Sequence, residues 1–321
     1  MANEKRKNAA ALRLAAAVAL AASFALAGGT RTDALLEKLH GPDRTYVFYC
    51  MHRGDWRNAP ENSMPSILGS IAKGADMIEL DVRRTKDGRY ILSHDPALDR
   101  MTDGKGLIAD HTLAEIKKLR LKEHQGGKDA KLTDEHPVSL EEALAATKGR
   151  ILVNLDKSWL DYRGIAQVLV REGVGREVVM KGPGSMTPDE VKAAFGPDLW
   201  ELVERNEILF MPIIYADSPK QLAVFYQWET QKVRPFAYEF VTNSRTDRPL
   251  PYFGFGEKAP RLWLNTMWEG LTGDHTDKRS IKDPDGGWGW CLRQGATMIQ
   301  TDYPVECGAW LRKVGRHAGE P

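Results

Sequence analysis

Eight short apolar runs rich in β-branched and aromatic residues, separated by helical patterns, constrain this chain more than any other feature. They are Tyr46–Met51, Met77–Val82, Ile151–Asp156, Val178–Lys181, Ile208–Ile214, Phe236–Val241, Arg261–Thr266 and Met298–Thr301. Most gaps are long enough for a crossover helix. Ser63–Lys73, Tyr162–Glu172, Thr187–Phe195 and Pro219–Lys232 read as such helices, several opened by Ser, Thr, Asp or Pro. Alternating β and α with buried strands implies a parallel sheet, and eight repeats imply a closed (β/α)8 TIM barrel. An open doubly wound sheet is the alternative. It ranks second because no Gly-rich dinucleotide fingerprint follows the first run.

One further run breaks the repeat. Tyr90–His94 follows the second strand too closely for a parallel crossover, and Lys86-Asp87-Gly88-Arg89 carries the Asp-Gly hairpin signal. The second strand is therefore expected to run past the barrel rim, turn, and return antiparallel. With a two-residue loop, Lys86 pairs with Arg89 and His94 falls opposite Asp81. From about 95 to 150 the chain is polar and glycine-punctuated, which reads as a small insertion before the third barrel strand. It holds helix candidates at Leu113–Leu119 and Ser139–Thr147, the latter with a Ser139–Glu142 capping box.

Residues 1–27 read as a signal peptide: basic residues up to Arg13, an uncharged run from Leu14 to Leu26, and a small-x-small site at Ala25-Leu26-Ala27. The apolar run is short for a membrane span, which needs about 20 residues. An exported protein, periplasmic or secreted, is expected, with residues 28–321 as one domain and no stable membrane insertion after cleavage. With 45 basic and 44 acidic side chains there is no basic stripe suited to nucleic acid. The three cysteines, Cys50, Cys291 and Cys307, lack metal-site spacing, and a Cys291–Cys307 pairing is left open.

Chemistry concentrates at strand ends. In Ile78-Glu79-Leu80-Asp81-Val82 the two acids share one strand face, which a barrel turns inward near its C-terminal rim. Two buried carboxylates repel, and a hard cation resolves the conflict, so one divalent ion, Ca²⁺ or Mg²⁺, is expected. Asp156 ends the adjacent third strand and is a natural third ligand, with Lys157 expected to face away. His52 ends the first strand, and with His94 it offers two groups that titrate near neutral pH. Arg53 suits bidentate phosphate binding, and Lys181 at the fourth strand's end adds a point charge. Of the C-terminal tryptophans Trp263, Trp268, Trp288 and Trp290, Trp263 alternates inward with Asn265 on the seventh strand. That pair is the first choice for lining a substrate cleft.

These residues resemble the glycerophosphodiester phosphodiesterases. The likeness is carried by His52-Arg53-Gly54, Pro60-Glu61-Asn62, Gly74 through Val82, Thr85-Lys86-Asp87-Gly88, His94-Asp95, Leu98-Asp99-Arg100 and Thr301-Asp302-Tyr303-Pro304. It extends from about Val47 to Leu311. The resemblance implies a (β/α)8 barrel, a divalent cation, and hydrolysis of a glycerophosphodiester to glycerol 3-phosphate and an alcohol. It also implies His52 and His94 as acid/base residues and Glu79 and Asp81 as metal ligands. One departure stands out: the family's third ligand is usually Glu with Lys two residues on, whereas here Asp156 is followed directly by Lys157. The alternatives are a phospholipase C- or D-like barrel acting on intact phospholipid, and a barrel that binds phosphate esters without cleaving them.

Overall fold

A computed structural model describes residues 29–243, 250 and 259–318, so the signal-peptide stretch lies outside the described residues. The strands are β1 (Phe48–Met51), β2 (Met77–Arg84), β3 (Tyr90–Leu92), β4 (Leu152–Asp156), β5 (Val178–Pro183), β6 (Leu209–Tyr215), β7 (Ala237–Val241), β8 (Arg261–Asn265) and β9 (Met298–Thr301). All but β3 are parallel. They pair in chain order from β2 through β4 to β9, and β1 closes the ring by pairing with both β9 and β2. The architecture is the closed eight-stranded barrel, and the doubly wound alternative is excluded.

Strand alternation sorts the residues into two layers. Outward side chains such as Ile78, Leu80, Val153, Leu155, Phe210 and Phe240 pack on the surrounding helices in one large core. Inward residues at the N-terminal ends, among them Phe48, Met77, Leu152, Val179, Leu209, Trp263 and Met298, form a second apolar core. The helix Arg31–His40 plugs that end with Leu35, Leu36 and Leu39. Arg261 Nε donates to the Leu39 carbonyl at 2.7 Å, satisfying one of the helix's orphan acceptors. Towards the C-terminal ends the inward positions turn polar: Glu79, Asp81, Asn154, Asp156, Lys181, Glu239, Asn265 and Gln300. The barrel is thus a greasy cup with a charged mouth.

The β2–β3 hairpin forms, but its register differs by one residue from the expected one. Arg84 pairs with Tyr90, and the Ser93 N–H donates to the Asp81 carbonyl at 3.0 Å, so Ser93 rather than His94 lies opposite Asp81. The reason is a three-residue loop. The Thr85 N–H donates to the Arg89 carbonyl at 2.8 Å, while Thr85 Oγ1 accepts from the Arg89 N–H at 3.0 Å and donates to Asp87 Oδ1 at 2.6 Å. Gly88 supplies the left-handed residue (φ +73°) that such loops require. His94 therefore sits just past the ladder, its carbonyl gripped by Arg83 Nη2 at 2.6 Å.

Leu98, Ile108 and Ile116 of the insertion pack with Ile91 of β3 in a separate small core. The insertion's helices are Leu113–Ile116, shorter than expected, and Leu140–Thr147, which opens with the Ser139–Glu142 capping box. Cys50, Cys291 and Cys307 are all free thiols and buried, so Cys291 and Cys307 are not bonded to each other. Among the described residues no helix is long and apolar enough to cross a membrane.

Candidate active site

The parallel register of β2 and β4 sets Asp81 beside Asp156 and Glu79 beside Asn154. Because side chains alternate, Glu79, Asp81 and Asp156 all reach the barrel mouth, with an oxygen from each within 4.8 Å of the others. Burial together with the neighbouring Asp81 and Asp156 charges pushes the Glu79 carboxyl up to about 7. Burial opposes ionisation of Asp81 and Asp156 as well, yet Lys157 and Arg53 hold the first well below the usual carboxylate range. Lys181 and Lys157 depress the second. A hard divalent cation fits this donor set: three acidic oxygens converge, and the buried Asp156 Oδ1 accepts no hydrogen bond.

His52 leaves β1 directly beside Glu79. Its Nδ1 bonds Asp302 Oδ1 at 2.9 Å, and Asp302 also accepts from Trp56 Nε1 at 2.7 Å. Behind it lies buried Asp277, which accepts from the Asp302 N–H at 2.7 Å and from Thr266, Thr301 and Trp288. Burial alone would lower the His52 pKa, but the Asp302 hydrogen bond and the Glu79 charge outweigh it and raise the value. His94 differs. Its Nδ1 bonds Asp95 Oδ1 at 2.6 Å, and its pKa is lowered, chiefly by burial, despite the pull of Asp81. Each ring thus has Nδ1 committed to a carboxylate, leaving Nε2 for proton exchange.

Arg53 adopts a left-handed backbone (φ +52°), and its N–H donates to Glu79 Oε2 at 2.8 Å. Next to it Gly54 is obligatory, since a Cβ there would lie 2.6 Å from Ser66 Oγ. The Arg53 guanidinium is bonded by Glu61 at 2.8 Å, while its buried Nε donates no hydrogen bond. Asn62 clasps Asp81 twice, donating Nδ2–H to Oδ2 at 2.9 Å and accepting the Asp81 N–H at 2.9 Å.

Three expected placements need correction. Lys157 does not face away: its left-handed backbone (φ +62°) breaks the strand alternation and swings the ammonium onto Asp81 and, at 3.2 Å, Asp156. Lys181 faces inward but is buried, 2.7 Å from Glu239 and 3.6 Å from Asp156, so it neutralises the barrel interior beneath the acids. Trp263 and Asn265 also point inward, but not into a cleft. Trp263 is wholly buried in the barrel floor and donates to Asn265 at 2.7 Å, and Asn265 donates to Glu239 at 2.6 Å. The tryptophan at the mouth is Trp268, 47 % exposed, with its ring 5.5 Å from that of His52.

Sequence reasoning assigned no role to Asp302, Asp95, Glu61, Asn62, Arg100 or Glu239. The first five sit in the motifs that carry the family likeness. Glu239 had a signal of its own, a lone acid in the apolar run Tyr238-Glu239-Phe240.

Residues 52–167 match the Glycerophosphoryl diester phosphodiesterase family, and residues 210–311 match a domain of unknown function. The chain is similar to a glycerophosphodiester phosphodiesterase of Caldanaerobacter subterraneus subsp. tengcongensis, 52 % identical over 68 residues, covering 21 % of this chain and 28 % of that one. It is likewise similar to one of Bacillus subtilis, 47 % identical over 81 residues, covering 25 % and 27 %. The matched stretch thus spans about a quarter of the length of these curated relatives. In fold it is similar to a glycerophosphoryl diester phosphodiesterase of Parabacteroides distasonis, with TM-score 0.61 and 18 % identity over 88 % of this chain and 92 % of that one. The Oleispira antarctica phosphodiesterase solved with the product sn-glycerol-3-phosphate gives TM-score 0.53 and 18 % identity over 83 % and 97 %. At such identities the structural likeness speaks for the barrel alone. The stretch that matches the glycerophosphoryl diester phosphodiesterase family, residues 52–167, holds both histidines, Arg53 and all three clustered acids.

Proposed function

We propose that this protein hydrolyses glycerophosphodiesters to glycerol 3-phosphate and an alcohol, using a divalent cation, Ca²⁺ or Mg²⁺, and two histidines. One observation carries the reading: two histidines, each oriented by its own carboxylate, border a cluster of three acids, two of them buried. Glu79, Asp81 and Asp156 would hold the cation, which supplies charge neutralisation at the phosphate and acidifies the attacking hydroxyl.

The chain's own residues do the rest. Arg53, whose buried Nε donates no hydrogen bond and lies 3.7 Å from Asp81 Oδ2, would bind a phosphate oxygen and fix the diester's orientation. His94, whose partial burial favours the neutral ring, would take the proton from the attacking hydroxyl, either water's or the substrate's own neighbouring glycerol hydroxyl. His52, whose Asp302 partner favours the protonated ring, would give its proton to the departing alkoxide as the phosphorus–oxygen bond breaks.

A panel of glycerophosphodiesters assayed with Mg²⁺, Ca²⁺ or chelator tests the reading. Activity is expected only with a cation, and His52→Ala and His94→Ala should each lower kcat by about 10²–10⁴-fold. Full activity in chelator, or in both variants, would refute it. Cleavage of intact phospholipid is a second reading, favoured by exposed Leu160, Tyr215 and Trp268 at or just beyond the ends of β4, β6 and β8. A preference for acylated over deacylated substrate would select it. We also propose export, supported by the basic–apolar–small order of residues 1–27; a mature chain still carrying those residues would contradict it.

A further inference from the structure

Arg100 lies in the insertion, outside the barrel, and hydrogen-bonds to neither histidine, yet it joins the carboxylates behind two active-site groups. Its Nε donates to Asp95 Oδ2 at 2.6 Å, and its Nη2 donates to Asp95 Oδ1 at 3.3 Å and to Glu61 Oε1 at 2.6 Å. Asp95 is the partner of His94, and Glu61 gives its other oxygen, Oε2, to Arg53. The third guanidinium nitrogen donates to the Gln125 carbonyl.

We propose that Arg100 is a positioning residue that couples the proton carrier His94 to the phosphate ligand Arg53, holding Asp95 behind one and Glu61 behind the other. The inference rests on the functional reading above and names a residue that reading does not use.

The charge pattern requires a fork. Glu61 is almost wholly buried and divides its two oxygens between two arginines, so each guanidinium stays where the other needs it. Arg100 occupies both oxygens of Asp95, which limits how strongly that carboxylate holds a proton on His94. A lysine has one nitrogen and cannot hold both Asp95 oxygens and Glu61 at once, as Nε and Nη2 do together. The turn at residues 124–127 locks the arginine from outside. The Gly127 N–H donates to the Arg100 carbonyl at 2.9 Å, and the Glu61 N–H donates to the His124 carbonyl at 2.8 Å. Gly126 makes this possible, since a Cβ there would sit 2.3 Å from the Arg100 carbonyl oxygen. The insertion therefore acts as a strap holding two site elements in one register.

Two readouts test this. The first is independent of activity: an NMR titration of the His94 ring in wild type and in Arg100→Gln. The charged groups facing His94 are Asp95, Asp81, Arg53 and Lys157, and only the Asp95 contact is directly released by the substitution. The His94 pKa is expected to rise, because Asp95 then has His94 as its remaining side-chain partner. An unchanged titration would overturn the proposal. The second is steady-state hydrolysis of glycerophosphocholine. Arg100→Gln is expected to lose about 10²-fold in kcat/KM, with kcat and KM both moved and the acid limb shifted to higher pH. Asp95→Asn should move mainly kcat, and Glu61→Gln mainly KM. Arg100→Lys should restore at most one of the two. Full restoration of both by Lys, or a loss no larger than the unfolded fraction explains, would mean Arg100 serves the fold alone. If Arg100→Gln does not fold, Arg100→Lys is read by itself, and an unchanged KM and pH limb overturn the coupling. Wild type inert on the probe would sink the functional reading, while the titration still decides the coupling.

Discussion

The two histidines stand on opposite kinds of support. His52 is 5 % exposed and is held by the barrel itself: Asp302 follows β9 immediately, and Asp277 locks the Asp302 backbone from behind. His94 is 37 % exposed and stands on a hairpin that leaves the barrel, with Asp95 and Arg100 of the insertion behind it. The proton donor is thus built into the closed sheet, and the acceptor into an appended, more solvent-exposed arm. The difference matches the chemistry asked of each. A protonated imidazole needs a fixed, desolvated carboxylate, while a neutral one needs access to an attacking hydroxyl.

The contrast is sharpest if the two carboxylates are removed in turn. Asp302→Asn should cost the most, roughly 10²-fold or more in kcat, because the His52 ring is almost wholly buried and solvent cannot reproduce the charge of its partner. Without Asp302 the His52 pKa falls, so the alkaline limb of the kcat profile should move to lower pH. Asp95→Asn should cost about tenfold, since solvent reaches His94 and partly replaces the lost partner. Equal losses from the two variants would erase the distinction between the arms.

The scaffolds behind the arms should separate as well. Asp277 accepts four hydrogen bonds without a cation, and burial raises its pKa despite them. Asp277→Asn exchanges one acceptor for a donor facing other donors, so it should lower stability by about 1–3 kcal/mol and reduce activity through the His52 arm. Chemical denaturation together with the pH profile measures both effects. The smallest effect is expected at Thr85, whose hydroxyl pins the three-residue hairpin loop. Thr85→Val should cost about 0.5–1.5 kcal/mol and disturb the His94 titration while leaving that of His52 in place. A matching disturbance at His52 would show that the arms are not independent.

This asymmetry also governs how much the sequence discloses. Everything that follows from strand alternation is legible: eight strands, the inward Glu79, Asp81, Lys181 and Asn265, and the proximity of Asp156 to Asp81. What escapes is whatever depends on a single backbone residue leaving the regular pattern. Lys157 turns inward through one left-handed residue, and His94 moves one place because Thr85 and Gly88 favour a three-residue loop over a two-residue one. Height along the barrel axis is equally hidden. Trp263 and Asn265 have the right facing but lie too deep, whereas Trp268, just past the strand, reaches the mouth. Local period reports direction and says little about depth.

The division of labour between the arms is tested most directly by changing the leaving group. A glycerophosphodiester of p-nitrophenol departs without needing a proton, whereas an alkyl diester does not. Hydrolysis of both substrates by His52→Ala and His94→Ala, with a divalent cation present, should show His52→Ala recovering most of its loss on the p-nitrophenyl substrate. His94→Ala should remain impaired on both. Recovery by His94→Ala instead, or by the two variants equally, would contradict the assignment of donor to the barrel and acceptor to the hairpin.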